Sequence, residues 1–405
     1  MKIAYIVPGT GVSGGMAVIC QHANRLVKKG HKVDLLSIGD AAPITWFPDN
    51  KVSVYSIDDW QEEVDILVAT SWATPFYLDK IDSLVKCYFV QSDETRFHED
   101  WSKWRHIAAL SYHFNVNYLT EAKWIKDWLK SNFNHNAELI PNGLDPDIFH
   151  PTTPLIKKGK RRRILLEGAI GLPYKGMKEA FEAVKDLDAE IWCVSSYGHP
   201  ESSWRCDKFF EQVPMTEMKE IYSSCDILLK LSRVEGFFGP PMEMMACGGA
   251  VVVGKVTGYD EYIVDGVNAL VVDPLDILNA SNAVHKLIVD DELRSRLIEQ
   301  GRKTAAEWRW EDSIDKLEKY YFELLKKSAS GNQLKNSWSY SKSLIYLYNA
   351  IATNFNPAEL SGGSSMQIPP HVMKVGIFLI KNKSFHKICD ILKYFYRAYL
   401  RFKWY

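Results

Sequence analysis

Short, largely apolar runs recur along this chain at residues 3–7, 33–38, 64–69, 87–90, 190–194, 227–231 and 250–253. Runs of this kind, without strict in-and-out alternation, fit strands buried on both faces of a parallel sheet. Between them the spacing changes. Over residues 16–29, Ala17, Cys20, Ala23, Leu26 and Val27 return at helical intervals, and Gly30 ends the segment. Further helices are predicted up to residue 184, over 218–223 and 240–247, within 274–306, and over 311–327 and 344–352. Strand and helix in alternation predict an α/β chain with doubly wound sheets. Residues 151–163 are polar and basic with two prolines, which divides the chain. The expected organisation is a first α/β domain over 1–151, a solvated connector over 152–163, a second α/β domain over 164–310, a crossing helix over 311–328 and a tail over 329–405.

Composition changes this picture only at the end of the chain. With 405 residues there is room for two cores, and 46% apolar with 24% charged residues is ordinary for a globular protein. A net charge of −1 provides no global field toward nucleic acid or membrane. The seven cysteines are scattered with no Cys-x-x-Cys pair, which speaks for a reducing compartment and against a disulfide framework or zinc site. The apolar N-terminal run is too short for a signal peptide and no apolar stretch of about 18 residues occurs, so a cytoplasmic location is expected. Residues 371–405 differ: eight lysines and arginines stand against Asp390 alone, and Ile388, Ile391, Leu392, Phe395, Tyr399 and Phe402 share one helical face. Such a segment fits attachment to an anionic membrane surface, or packing against the body or a second subunit.

Residues 233–253 concentrate the candidate chemistry. Glu235 and Glu243 flank Gly236-Phe237-Phe238-Gly239-Pro240-Pro241, with a short helix to Cys247 and then an apolar strand. Prolines suit a first helical turn and Gly248-Gly249 suits its end. The N–H groups of Phe238, Gly239 and Met242 are therefore expected to face outward at a helix N-terminus, where anions bind. Carboxylates beside an anion site need partners of another kind, such as sugar hydroxyls; a nucleotide sugar carries both. An acidic turn of a buried helix is the alternative for the Glu pair alone.

This spacing, with Ala246-Cys-Gly-Gly-Ala-Val-Val252 after it, resembles the donor-binding signature of family 4 retaining glycosyltransferases of the GT-B fold. Gly14-Gly15, Ile140-Pro-Asn-Gly-Leu-Asp145, Lys175-Gly176 and the stretch 257–273 extend the resemblance over about residues 1–328. It implies two Rossmann-like doubly wound domains facing a cleft, here with a C-terminal helical extension. It implies Glu235 on the donor sugar and catalytic together with Lys175, and Glu243 on the ribose. The backbone of Gly236, Phe237, Phe238 and Gly239 would meet sugar and phosphate, and Lys175 beside Gly168 the diphosphate. Ala169 stands where the family has an arginine, so Arg233 or Lys230 is expected to assist Lys175. Gly14 and Gly15 would face the cleft from the first domain. Gln91 occupies a position where many relatives place histidine; with Asp93 and Glu94 it is expected on the acceptor side, an ordinary polar strand-end loop being the alternative.

Three further motifs are weaker. The loop 8–15 invites a dinucleotide reading, but its glycine spacing does not fit Gly-x-Gly-x-x-Gly before a helix. Asp145-Pro-Asp147 spells a metal-binding triplet, yet after Asn142-Gly143 it reads as turn chemistry. Residues 101–106 and 123–130 interleave aromatics with bases, as in sugar stacking, lipid contact or ordinary amphipathic helices. The expectation is a retaining glycosyltransferase without metal or other cofactor. It would carry a sugar from a nucleotide diphosphate donor to a glycan or lipid-linked glycan in polysaccharide biosynthesis, in the cytoplasm or on the inner face of the plasma membrane. A phosphorylase or sugar-phosphate synthase, or a catalytically silent subunit docking a partner glycosyltransferase, are the alternatives; a nucleic-acid partner is not expected, since the bases form a tail rather than a groove.

Overall fold

A computed structural model describes residues 1–100, 102–330 and 338–352. The first sheet comprises β1 (Lys2–Val7), β2 (Lys32–Ser37), β3 (Ser53–Ser56), β4 (Val64–Ala69), β5 (Ser83–Val90), β6 (Asn117–Thr120) and β7 (Glu138–Leu139), in the order β3-β2-β1-β4-β5-β6-β7. The second comprises β8 (Arg162–Glu167), β9 (Ala189–Ser195), β10 (Lys208–Glu211), β11 (Ile227–Lys230), β12 (Ala250–Gly254) and β13 (Leu270–Val272), in the order β10-β9-β8-β11-β12-β13. Every pairing is parallel. Parallel strands need crossovers on both faces, which is why the central runs are apolar throughout: Ile3 to Val7 and Ile227 to Leu229 are fully buried. In each sheet the strand order reverses once, between β1 and β4 and between β8 and β11. Ligands of such sheets bind outside the carboxyl ends of the strands at that reversal.

The crossovers include α1 (Gly14–Lys28), α2 (Lys103–Ser111) and α3 (Lys123–Phe133) in the first half, then α4 (Met177–Val184), α5 (Met218–Ser224) and α6 (Gly239–Ala246). α7 (Ile277–Val289) and α8 (Asp291–Glu307) close the second domain, and α9 (Trp310–Ala329) runs back to the first. Trp310, Ile314, Leu317, Tyr321 and Leu324 of α9 enter the first domain's core with β1 and α1, where the Tyr5 and Tyr321 hydroxyls meet at 3.2 Å. α10 (Trp338–Ala352) begins before the predicted 344–352 and lies on the first domain: Leu344 is buried and Tyr348 stacks on Phe76 at 4.2 Å.

The structure overturns one sequence expectation and decides among the readings left open for another. The basic run ending the connector is not a solvated spacer. β8 starts inside it at Arg162, and Arg163 is buried, paired with Glu190 and stacked 4.0 Å from the Trp192 ring. The aromatics of α3 do not face lipid or solvent: Trp128 packs edge-on against Tyr112 at 4.9 Å, and Trp124 reaches into the second domain. Asp145 caps its own turn through the Asp147 N–H and pairs with Arg25 at 3.0 Å. Residues 371–405 lie outside the described residues. Among the described residues no helix is long and apolar enough to cross a membrane.

Candidate active site

The reversal point of the second sheet gathers charge. β8 ends at Glu167 and β11 at Lys230, and the paired register of these neighbours sets Lys230 Nζ 2.5 Å from Glu167 Oε2. The loop after β11 brings Glu235 alongside, its Oε1 3.9 Å from Lys230 Nζ and its Oε2 2.8 Å from Lys175 Nζ. Lys175 arrives from the turn that follows β8. Gly176 ends that turn with φ of +64°, and a Cβ there would lie 2.1 Å from the Leu231 carbonyl oxygen, so glycine is required for the turn to press against the end of β11. Burial alone would raise the Glu235 pKa, but Lys175 and Lys230 outweigh it and hold the carboxyl below its ordinary value. Lys230 is almost wholly buried, whereas the Lys175 side chain keeps 22% of its exposure. Of the two cations, only Lys175 can exchange its protein partner for a ligand without unburying a charge.

Glu243 lies on α6, beside Gly239, and remains partly exposed. The Tyr222 hydroxyl on α5 donates to its Oε2 at 2.8 Å. Burial pushes this carboxyl up to about 7 against the opposing Tyr222 hydrogen bond, and Glu167 adds to the rise. The second domain thus presents one firmly ionised carboxylate and one that takes up a proton readily.

The structure places several predicted residues differently. Arg233 does not join the cluster: its guanidinium pairs with Glu179 on α4 at 3.0 Å and donates to the Pro173 carbonyl, leaving Lys230 as the second cation beside Glu235. The amides of the loop are not all free. Gly239 N–H donates to the Phe237 carbonyl at 3.0 Å, and Phe237 N–H donates to Glu121 of the first domain at 2.9 Å. The Phe237 ring packs on Tyr262 and Trp308, and Phe238 is buried in the same core, so neither ring faces a ligand. Gly168 sits beside Lys175 and Met177.

Across the cleft, Gly14 and Gly15 open α1 behind the Ser13 cap, and a Cβ on Gly15 would touch the Gln91 amide at 3.4 Å. Gln91 donates to the Thr70 carbonyl at 3.2 Å, so the ends of β4 and β5 are tied together. Asp93 is committed locally, accepting from the Thr95 N–H and hydroxyl at 3.2 and 2.5 Å. Glu94 is committed only in part: burial pushes its carboxyl up to about 8 against hydrogen bonds from the Trp72 backbone and the Tyr88 hydroxyl, while Oε2 is buried without a hydrogen-bond partner. Trp72, just past β4, lies edge-on to His98 at 5.6 Å and 5.9 Å from Trp104, so aromatic rings gather beside this strand end. Sequence reasoning missed Glu121 entirely, named Trp124 only within the aromatic and basic run 123–130, and weighed Glu167 only as part of a strand. The only local signal was polarity at strand ends.

The two domains touch at these same residues. Arg96 donates to the Arg233 carbonyl at 2.9 Å and to the Thr257 hydroxyl at 3.1 Å, and Phe97 stacks on Tyr174 at 5.7 Å. The architecture matches solved structures over most of the described chain. Sucrose-phosphate synthase from Thermosynechococcus elongatus superposes with a TM-score of 0.66 at 16% identity, covering 80% of this chain and 99% of that one. Anabaena HepE in complex with UDP-glucose superposes with a TM-score of 0.64 at 16% identity, covering 80% and 100%. The fold is GT-B. Within its second domain, residues 208–304 match the sequence model of the family described as glycosyl transferases group 1. An uncharacterized glycosyltransferase of Methanocaldococcus jannaschii is 28% identical over 218 residues, a match spanning 50% of this chain and 58% of that relative. A D-inositol 3-phosphate glycosyltransferase of Stackebrandtia nassauensis is 24% identical, with 80% and 89% covered. The match to group 1 covers Glu235 and Glu243, and Glu235 lies at the reversal point, where open α/β sheets generally present a ligand site.

Proposed function

We propose that this protein is a glycosyltransferase that moves a sugar, with retention of configuration and without a metal, from a nucleoside diphosphate sugar to a glycan hydroxyl. The observation that carries the reading is the Lys175–Glu235–Lys230 cluster at the second sheet's reversal point; Lys230, Glu235 and Glu243, the last on α6, lie inside the segment that matches glycosyl transferases group 1. HepE, of the same fold, is known with UDP-glucose bound, which supports a nucleotide-sugar donor here. In this reading Glu235 accepts hydrogen bonds from the sugar hydroxyls and Glu243 from the ribose. Lys175 leaves Glu235 for the diphosphate, and the α6 terminus faces the phosphates with those amides that remain free. The anomeric carbon's bond to the diphosphate oxygen breaks as its bond to the acceptor oxygen forms, and the acceptor's proton leaves with the diphosphate. Lys175 neutralises the charge that develops there. The acceptor enters from the side of Gln91 and Glu94. If residues 371–405 bind an anionic bilayer, the glycan is lipid-linked and the enzyme peripheral to the inner leaflet, in polysaccharide assembly.

Thermal shift with UDP, GDP, dTDP and ADP, followed by release of nucleoside diphosphate from the matching sugar donors, tests the reading. Stabilisation by one diphosphate and donor-dependent turnover are expected; release of sugar phosphate instead would indicate a phosphorylase. Chelator leaves the rate unchanged if no metal takes part, and the anomeric signal of the product reports retention. Ala169, in place of the cation, favours one second reading, a silent subunit serving a partner enzyme. Turnover by the purified chain alone excludes it.

A further inference from the structure

One peptide group of the donor loop is gripped on both sides by the first domain. The Gly236 carbonyl accepts from Trp124 Nε1 at 2.9 Å, and the N–H of the same peptide group, on Phe237, donates to Glu121 Oε1 at 2.9 Å. In a trans peptide these two groups point in opposite directions, so the pair of contacts sets the orientation of the whole plane. Both grips come from residues 121–124, where β6 passes into α3.

Each grip is itself braced. The other carboxylate oxygen of Glu121 accepts from Asn142 Nδ2 at 2.9 Å, in the segment where Gly143 packs on the start of α9. Trp124 donates its backbone N–H to Glu261 at 2.8 Å, and its ring occupies the space a Cβ on Gly258 would need. The gripped plane has no slack. A Cβ on Gly236 would lie 1.9 Å from the Gln91 carbonyl oxygen and 2.8 Å from Glu121 Oε1, so this glycine is dictated by the opposite domain rather than by its own loop. The arrangement is expensive. Burial pushes the Glu121 carboxyl up to about 7 despite the Asn142 and Phe237 hydrogen bonds, and Glu235 nearby adds to the rise. A carboxylate held at such a position, one residue from Glu235's own backbone neighbour, calls for a role beyond filling space.

We propose that Glu121 is a positioning residue of the transfer reaction: with Trp124 it orients the Gly236–Phe237 peptide plane, and through it the Glu235 carboxylate, whenever the cleft is closed. The inference rests on the donor role proposed for Glu235. The donor is bound mainly by the second domain, so loss of the grip leaves donor binding nearly intact and slows the step that requires closure.

The test compares Glu121→Ala, Glu121→Gln and Trp124→Phe with the wild-type chain by amide hydrogen exchange of the 236–238 segment and by steady-state kinetics with the active donor. In Glu121→Ala, exchange at Phe237 accelerates and kcat falls, each about tenfold or more, while the donor KM moves less than about threefold. Glu121→Gln retains an oxygen for Phe237, and Asn142, whose Oδ1 is otherwise without a partner, can turn to meet the new amide, so this variant recovers most of both readouts. Trp124→Phe shows the same pattern more weakly. A loss confined to donor KM, tighter donor binding by Glu121→Ala, or failure of Glu121→Gln to recover kcat would overturn the proposal. Unchanged Phe237 exchange in Glu121→Ala sinks the inference alone, whereas absence of donor binding and turnover in the wild type sinks the donor reading beneath it.

Discussion

The two walls of the cleft are finished by different means. On the second-domain wall the polar groups are held by charge: Lys175, Lys230, Glu167 and Glu235 form one connected set, although Glu235 Oε1 has no hydrogen bond and only Lys230 at 3.9 Å. On the first-domain wall, Ser71 Oγ, Gln91 Oε1, Ser92 Oγ, Glu94 Oε2 and His98 Nε2 are buried without partners, all just beyond the carboxyl ends of β4 and β5. A buried polar atom left unpaired costs about 1–3 kcal/mol, so such a concentration is tolerated where a ligand supplies the missing partners. Under the proposed function, one wall would be organised in advance for a charged ligand and the other would offer unpaired dipoles to a hydroxylated one.

The sharpest way to break the comparison is at Lys230, the buried hub of the charged wall. Lys230→Met strands Glu167 and Glu235 without their shared cation and is expected to destabilise the fold by about 3–5 kcal/mol, read by urea denaturation. A loss under about 1 kcal/mol would show that the network is not a unit. Lys175→Ala removes the partly exposed cation instead. Folding is nearly untouched while kcat drops on the order of 100-fold, measured as nucleoside diphosphate release; near-normal turnover would strip Lys175 of its role.

A subtler test uses pH. Glu94, Glu121 and Glu243 hold their protons up to about 8, 7 and 7, against an ordinary value of 4.5. Between those limits the folded chain binds more protons than the unfolded one, so stability falls as pH rises through that window, by on the order of 3 kcal/mol for Glu121. Glu235 has the opposite sign: held low, it contributes stability above the ordinary carboxyl range that is lost as pH falls through its folded value. The melting temperature is expected to decline from about pH 5 to pH 8, and Glu121→Gln to flatten that slope. An identical slope in the variant would refute the assignment. The smallest effect belongs to the neutral wall. Glu94→Ala is expected to raise the acceptor KM about fivefold with a smaller change in donor KM, as loss of one hydrogen bond to a hydroxyl predicts; equal changes would take Glu94 off the acceptor side.

What sequence reading recovered and lost follows from range. Strands such as β11 and β12 were legible because a parallel strand must be apolar on both faces, and that leaves a contiguous run. Glu235 and Glu243 stood out because a single turn and helix place both. Arg233 was expected beside Lys175 from its nearness in sequence to Glu235, but α4 supplied Glu179 and took it. The Phe237 backbone was expected from the resemblance to meet sugar and phosphate, yet Glu121, more than a hundred residues earlier, claimed its N–H.

The chain's own order of residues therefore settled the α/β alternation, the division near the basic connector and the acidic pair around the glycine-proline turn, since all of these follow from local periodicity and turn chemistry. Which cation serves which carboxylate, which amides stay free, and why Gly236 admits no side chain were decided only when two separately wound sheets met. Hydrogen bonds and ion pairs across that meeting depend on angstrom-scale distances between segments that nothing in their local spelling brings together.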